Sequence, residues 1–171
     1  VTLVDAVLGV MLSLSPPSSW SALPGHAETV DARRERYASI ARDIAAEGRD
    51  RDGSALLLAV AWHESGFAHD VDVGRCYRGK GWEGRCDAGR AVCLTQLQLP
   101  RREREEARTD RRTCLRLGLA KVRKSLATCR HLPPPHRFAG LSGSCSRGLA
   151  GSRRIHAIHV RTASALAGGA S

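Results

Sequence analysis

Ala55-Leu56-Leu57-Leu58-Ala59-Val60-Ala61-Trp62-His63-Glu64-Ser65-Gly66-Phe67 is the stretch on which the fold turns. From Ala55 to Trp62 it is apolar on every face. A helix with no polar side cannot lie on a surface, so the rest of the chain must wrap it. Ser54 is a fair N-cap for such a helix. Gly66 is its natural stop, because glycine carries no side-chain penalty at positive φ. Glu64 then falls at the C-terminal end of a buried helix, where apolar neighbours and the negative helix end both disfavour its charged form. Two readings stand. Glu64 is the first solvated residue past the core, or it is a carboxyl that keeps its proton and serves as a general acid near neutral pH.

Working outward, Glu28 to Asp50 reads as a scaffold helix, with Tyr37, Ile40, Ala41, Ile44 and Ala45 on one helical stripe. Residues 1–27 read as an export signal cleaved after Ala27. Val7 to Leu14 is an apolar core, Pro16 and Pro17 break it, and Gly25-His26-Ala27 is a small-x-small cleavage site. A positive n-region is missing, and Asp5 is out of place. The apolar run is too short to anchor the chain in a bilayer. After Phe67, residues Ala68 to Arg90 have no helical period and read as a long loop stapled by Cys76 and Cys86. Ala91 to Leu99 is a short apolar run ended by Pro100, with Gln96 as its polar exception. The charge block Arg101 to Asp110 leads into one long helix with Cys114, Leu115, Leu119, Val122, Leu126 and Cys129 on a stripe, closed by Pro133, Pro134 and Pro135. A last helix is expected over Leu149 to Thr162, followed by a frayed small-residue tail, 163–171.

The length of 171 residues suits one domain, and 27 Lys and Arg against 17 Asp and Glu give a net charge of +10. A polyanion is the natural partner of such a chain, whether nucleic acid, anionic membrane or acidic wall polymer. With only 4% aromatic residues and no nucleic-acid motif, base stacking has little to work with, so nucleic acid is set aside. Six cysteines in a chain this short point to an oxidising compartment, periplasmic or extracellular. Short loops favour pairing Cys76 with Cys86 and Cys129 with Cys145, which leaves Cys93 with Cys114. No Cys-x-x-Cys pair is present, and the metalloprotease helix signature fails because Phe67 stands where its second histidine should be, so no metal is expected.

Ala59 to Phe67 resembles the Glu-Ser-Gly-Phe signature of bacterial lytic transglycosylases of the soluble, SLT type, a branch of the lysozyme-like superfamily. The second motif of that family, Gly-Leu-Met-Gln followed by an apolar residue, resembles Cys93-Leu94-Thr95-Gln96-Leu97, with Cys93 where the family usually has glycine. The third, Ala-Tyr-Asn-x-Gly, is replaced by Phe138-Ala139-Gly140-Leu141-Ser142-Gly143, without the tyrosine and asparagine. The resemblance covers about Ser54 to Gly143. It implies a mainly α, lysozyme-like single domain over residues 28–162 with a disulfide-stapled loop, monomeric, without cofactor or membrane anchor, whose partner is the glycan strand of peptidoglycan.

By that resemblance Glu64 is the catalytic acid and then base, Ser65 orients the sugar or the carboxyl, and Gln96 holds polar groups of the substrate. The cleft would run between the end of the Glu64 helix, the stapled loop and the segment from Phe138 to Gly143, so that Phe138 also faces substrate. Tyr77, in the loop with Trp82, is either a platform for a sugar face or a plug for the small disulfide loop. Asp70, Asp72, Glu83 and Asp87 are candidates for a second carboxylate, which would make the chemistry hydrolytic, as in muramidases. A third expectation is an exported, non-catalytic protein that binds glycan or another polyanion on the same fold.

Overall fold

The structure, a computed structural model, describes residues 1–16, 28–74, 86 and 91–168. The expected cleavage site at Gly25-His26-Ala27 and the loop residues Cys76, Tyr77, Trp82, Glu83 and Asp87 lie outside the described residues. The described chain is mainly helical. Helices α1 (Leu3–Leu14), α2 (Val30–Gly48), α3 (Arg51–Ser65) and the single turn α4 (His69–Asp72) precede a minimal hairpin, β1 (Ala91–Val92) and β2 (Leu97–Gln98). Helices α5 (Arg101–Thr109) and α6 (Arg111–Thr128), a 3₁₀ helix (Pro134–Ser142) and α7 (Leu149–Gly168) complete it.

Helix α3 is the axis of the fold, as its apolar run demands. Every residue from Gly53 to Ala61 is buried, with Ala55, Leu57, Leu58, Ala59 and Ala61 wholly so. Helices α1, α2, α6 and α7 pack around it. The N-cap is Asp50, not Ser54: its carboxylate accepts from the Gly53 amide at 2.7 Å, so the helix begins a turn earlier and Ser54 lies buried inside it. Gly66 ends the helix at φ 56°, ψ 25°, and its N–H donates to the Trp62 carbonyl at 2.9 Å. Phe67 follows at φ 54°, a left-handed conformation that a β-carbon strains. Its ring, wholly buried against Tyr37 and Trp62, holds it there.

The charge block and the stripe behind it form two helices rather than one. Asp110 leaves helical geometry (φ −120°, ψ 106°) and caps α6, accepting from the amides of Arg112 and Thr113 at 3.1 Å each. A short side chain that can bond its own downstream amides competes with helix continuation, and here it wins. At the other end, α7 runs to Gly168 with Leu166 fully buried, so the expected tail from Ala163 is in large part ordered helix.

Residues Leu3 to Leu14 form a helix whose Val7 and Met11 are completely buried against the rest of the domain. Asp5, anomalous in an export signal, is the N3 residue of a capping box with Thr2. The helix is further tied down by Tyr37 Oη to Ser15 Oγ at 3.1 Å. No described helix is long and apolar enough to cross a membrane.

Cys93 pairs with Cys114 and Cys129 with Cys145, as the spacing favours. Cys86 is also disulfide-bonded, and its expected partner Cys76 lies outside the described residues.

Candidate active site

The C-terminal end of α3, the hairpin turn, one face of α6, the 3₁₀ helix and the start of α7 enclose a cleft of about 550 Å³. Glu64 and His63 enter it from α3, Gln96 from the hairpin turn, Lys121 from α6, Phe138 from the 3₁₀ helix and Ile155 from α7. Among the described residues that line it, Glu64 is the sole carboxyl.

The Glu64 side chain opens to the cleft and is exposed in area. The protein nevertheless crowds it enough that lost hydration raises its pKa above the ordinary carboxyl value, while the Lys121 ammonium pulls it down by less. Glu64 and Lys121 do not form an ion pair, and no protein hydrogen bond is made to the Glu64 carboxyl among the described residues. The group is thus proton-retaining and uncommitted, which are the properties a general acid needs.

Gln96 is brought to the same cleft by unusual backbone. The hairpin pairs Val92 with Leu97 and Ala91 with Gln98, and the turn between them places Cys93 at φ 61° and Gln96 at φ 48°. Cys93 therefore adopts the left-handed conformation that glycine takes without penalty. Its bridge to Cys114 ties that residue to α6. The turn lies flat on α6 because residue 118 is glycine: a β-carbon there would stand 2.8 Å from Thr95 Cγ2. Gln96 Nε2 donates to the Cys93 carbonyl at 3.0 Å and reaches Cys86 Sγ at 3.4 Å, so Oε1 is the end of the amide open to a ligand.

Ser65 is placed differently. Its hydroxyl donates to the Ala61 carbonyl at 2.7 Å and accepts from the Phe67 amide at 3.2 Å, closing the helix end, and it does not line the cleft. Phe138 does line it, but as a buried wall flanked by His156 and His159 at 6.4 and 5.9 Å between ring centroids. Ser125 Oγ to the Arg137 carbonyl and Ser152 Oγ to the Pro135 carbonyl, each 2.9 Å, fix that wall between α6 and α7. Tyr77 lies outside the described residues.

Of the candidate second carboxylates, Asp72 is committed elsewhere. Its side chain has no exposure and is bonded to Arg111, with Arg36 at 3.6 Å. Arg36 in turn donates to the Phe67 carbonyl at 2.9 Å and to Glu28 at 2.7 Å. This network ties the chain leaving α3 to α2, α4 and α6. Asp70 does not line the cleft, and Glu83 and Asp87 lie outside the described residues.

Two cleft residues have no signature in the sequence. His63 is half-buried, and its pKa is lowered first by lost hydration and then by Arg154. Lys121 comes from a helix whose stripe predicts only packing. Helical spacing could have put Lys121 one turn from Gly118, but nothing in one dimension brings Gly118 to Thr95.

The fold and site define a mainly helical, disulfide-bridged domain with a cleft built around one carboxyl. No family model, curated protein or solved structure matches the chain.

Proposed function

We propose that this chain is a lytic transglycosylase with a lysozyme-like fold, acting on the β-1,4 bond between N-acetylmuramic acid and N-acetylglucosamine in peptidoglycan. The observation that carries the reading is that Glu64, its pKa raised by lost hydration, opens on the same cleft as Gln96. Two carboxyls are the usual requirement of glycoside hydrolysis. One suffices where the substrate supplies its own nucleophile. Glu64, protonated, gives its proton to the glycosidic oxygen as the bond to C1 breaks. The same carboxylate then takes the proton of the muramoyl C6 hydroxyl, whose oxygen closes on C1 to leave a 1,6-anhydro end. No water enters the products, and Glu64 finishes protonated. The raised pKa of Glu64 suits the first step, and Gln96 Oε1 would accept from a sugar hydroxyl or amide beside it. The motif resemblance around Glu64 and Gln96 supports the same reading. Disulfides Cys93–Cys114 and Cys129–Cys145 support export to an oxidising compartment.

The test incubates the oxidised chain and its Glu64→Gln variant with purified peptidoglycan, followed by mass spectrometry of the released muropeptides. Products one water lighter than hydrolysed ones, made by the parent chain and absent with Glu64→Gln, are expected. Reducing-end products would make the protein a hydrolase. The missing tyrosine and asparagine around Phe138–Gly143 favour a second reading, a glycan-binding protein without turnover, and no products from a folded chain would leave that reading in front.

A further inference from the structure

Charge is divided unevenly along this chain: beyond Asp110 it contains no Asp or Glu at all. Helices α6 and α7 and the 3₁₀ helix therefore bring only cations to the cleft they help to form. Arg111 and Arg112, at the start of α6, find partners in Asp43, Asp72 and Glu47. Farther along, the pairing stops. Among the described residues, Lys121 and Arg154 have no ion pair or hydrogen bond to the protein.

Lys121 lines the cleft, half-buried, on the wall facing Glu64. Arg154 stands on α7 one turn past Gly151, whose missing β-carbon would lie 3.7 Å from His63 Nε2. Two cations thus act on the end of α3, Lys121 from inside the cleft on Glu64 and exposed Arg154 from outside it on His63. Lys121 loses hydration in the cleft and gains no protein counter-ion in return, a state that an incoming anion relieves. No arginine joins Lys121 in the cleft lining, so no guanidinium fork is there to grip a phosphate. A single ammonium suits a carboxylate.

We propose that Lys121 anchors a carboxylate of the bound glycan, so that the cleft selects carboxylate-bearing β-1,4 glycan over neutral glycan of the same linkage. This rests on the glycan reading above, and it adds a specificity-determining residue that the motifs do not contain.

The experiment uses the full, oxidised chain in a Glu64→Gln background, so that binding is read without turnover. Co-sedimentation is measured with three insoluble glycans: peptidoglycan, peptidoglycan with its carboxyls capped as amides, and chitin. Lys121→Gln is expected to weaken binding to untreated peptidoglycan about tenfold, the scale of one good charge contact. It should leave the weaker binding to capped peptidoglycan and chitin unchanged, and Lys121→Arg should restore most of the loss. Arg123→Gln removes the same charge from an exposed position outside the cleft and should change nothing. Equal losses from Arg123→Gln and Lys121→Gln would reduce the effect to net charge and overturn the proposal. So would equal losses on chitin, an unaffected Lys121→Gln, or a chain that binds none of the three. Cleavage is scored separately: binding that depends on Lys121 without anhydro products would sink the transglycosylase and keep the anchor, and products with binding indifferent to Lys121 would do the reverse.

Discussion

Arg111 grips Asp72 with two parallel hydrogen bonds, 2.6 Å from Nε to Oδ1 and 2.9 Å from Nη2 to Oδ2. The same guanidinium reaches Asp43 Oδ2 at 2.7 Å and Ser39 Oγ at 2.9 Å, so α2, α4 and α6 meet at one residue. Asp72 is therefore a structural anion.

Asp72→Asn should cost stability rather than chemistry. Removing one charge of a buried pair leaves the other uncompensated, a loss of about 3 kcal/mol. Urea unfolding should register it, while glycan cleavage below the new transition should persist at near the parental rate. A variant that unfolds like the parent yet cleaves nothing would return Asp72 to the list of reacting groups.

The pH dependence follows from Glu64. Its folded pKa is raised, chiefly by lost hydration, with Lys121 opposing. The alkaline limb of kcat/KM should therefore lie above the ordinary carboxyl range, and Lys121→Gln, by removing the opposing charge, should move that limb higher still. The stability sign is the same. Protonated Glu64 sits comfortably at low pH, and the fold loses that advantage as pH rises through the folded pKa, so Glu64→Gln should gain on the parent chain with rising pH in that window. A limb at the position of a free glutamate would remove the acid argument.

His63 and His159 shift the other way. Lost hydration comes first for both. For His63 Arg154 adds to it, and for His159 Asp52 opposes while His156 adds. Depressed folded values mean the unfolded chain takes up more protons as pH falls below the ordinary histidine value of 6.5, so the domain should weaken there. Melting temperatures of the parent and of His159→Gln, compared from neutral to mildly acidic pH, should converge as the parent loses stability.

Gly118→Ala should disturb the site more than the fold. The helix gains a better helix former, but the new β-carbon strikes Thr95, displacing the turn that carries Gln96. Cleavage should fall about tenfold, against roughly 1–3 kcal/mol of stability for the overpacking. Thr95→Ala in the same chain should recover part of both. Full activity in Gly118→Ala would mean that Gln96 need not be held where the hairpin puts it.

A chain begun at Glu28 should be markedly less stable than the full one. Val7 and Met11, with no exposure, and Val10, at 6%, lose their burial with α1. At about 1.5–3 kcal/mol for each fully buried aliphatic side chain, the loss is roughly 5 kcal/mol, comparable with the whole stability of many domains. Lower melting temperature and new dye binding by exposed apolar surface would register it. Identical melting of the two chains would show that α1 docks without stabilising.

The sequence by itself determined what depends on neighbours along the chain. The apolar run from Ala55 demanded a wrapped helix, Gly66 its end, and the stripes of α2 and α6 their buried faces, because local periodicity reflects which side meets water. Loop length, too, favoured the bridges Cys129–Cys145 and, by remainder, Cys93–Cys114. Other local features took their meaning only from the folded chain. The Leu3–Leu14 segment has the apolarity of an export signal, and in the folded chain it is a capped helix with Val7 and Met11 buried. Asp110 reads in the sequence as the end of a charge block, and in the structure it caps α6. The approach of Lys121 to Glu64, the capture of Asp72 by Arg111, and the turning of Ser65 onto its own helix end were decided only in three dimensions. Each depends on which backbones approach closely enough to share one cleft or one ion network, and at Gly118 that approach is set by a missing β-carbon, which leaves no pattern in the residues around it.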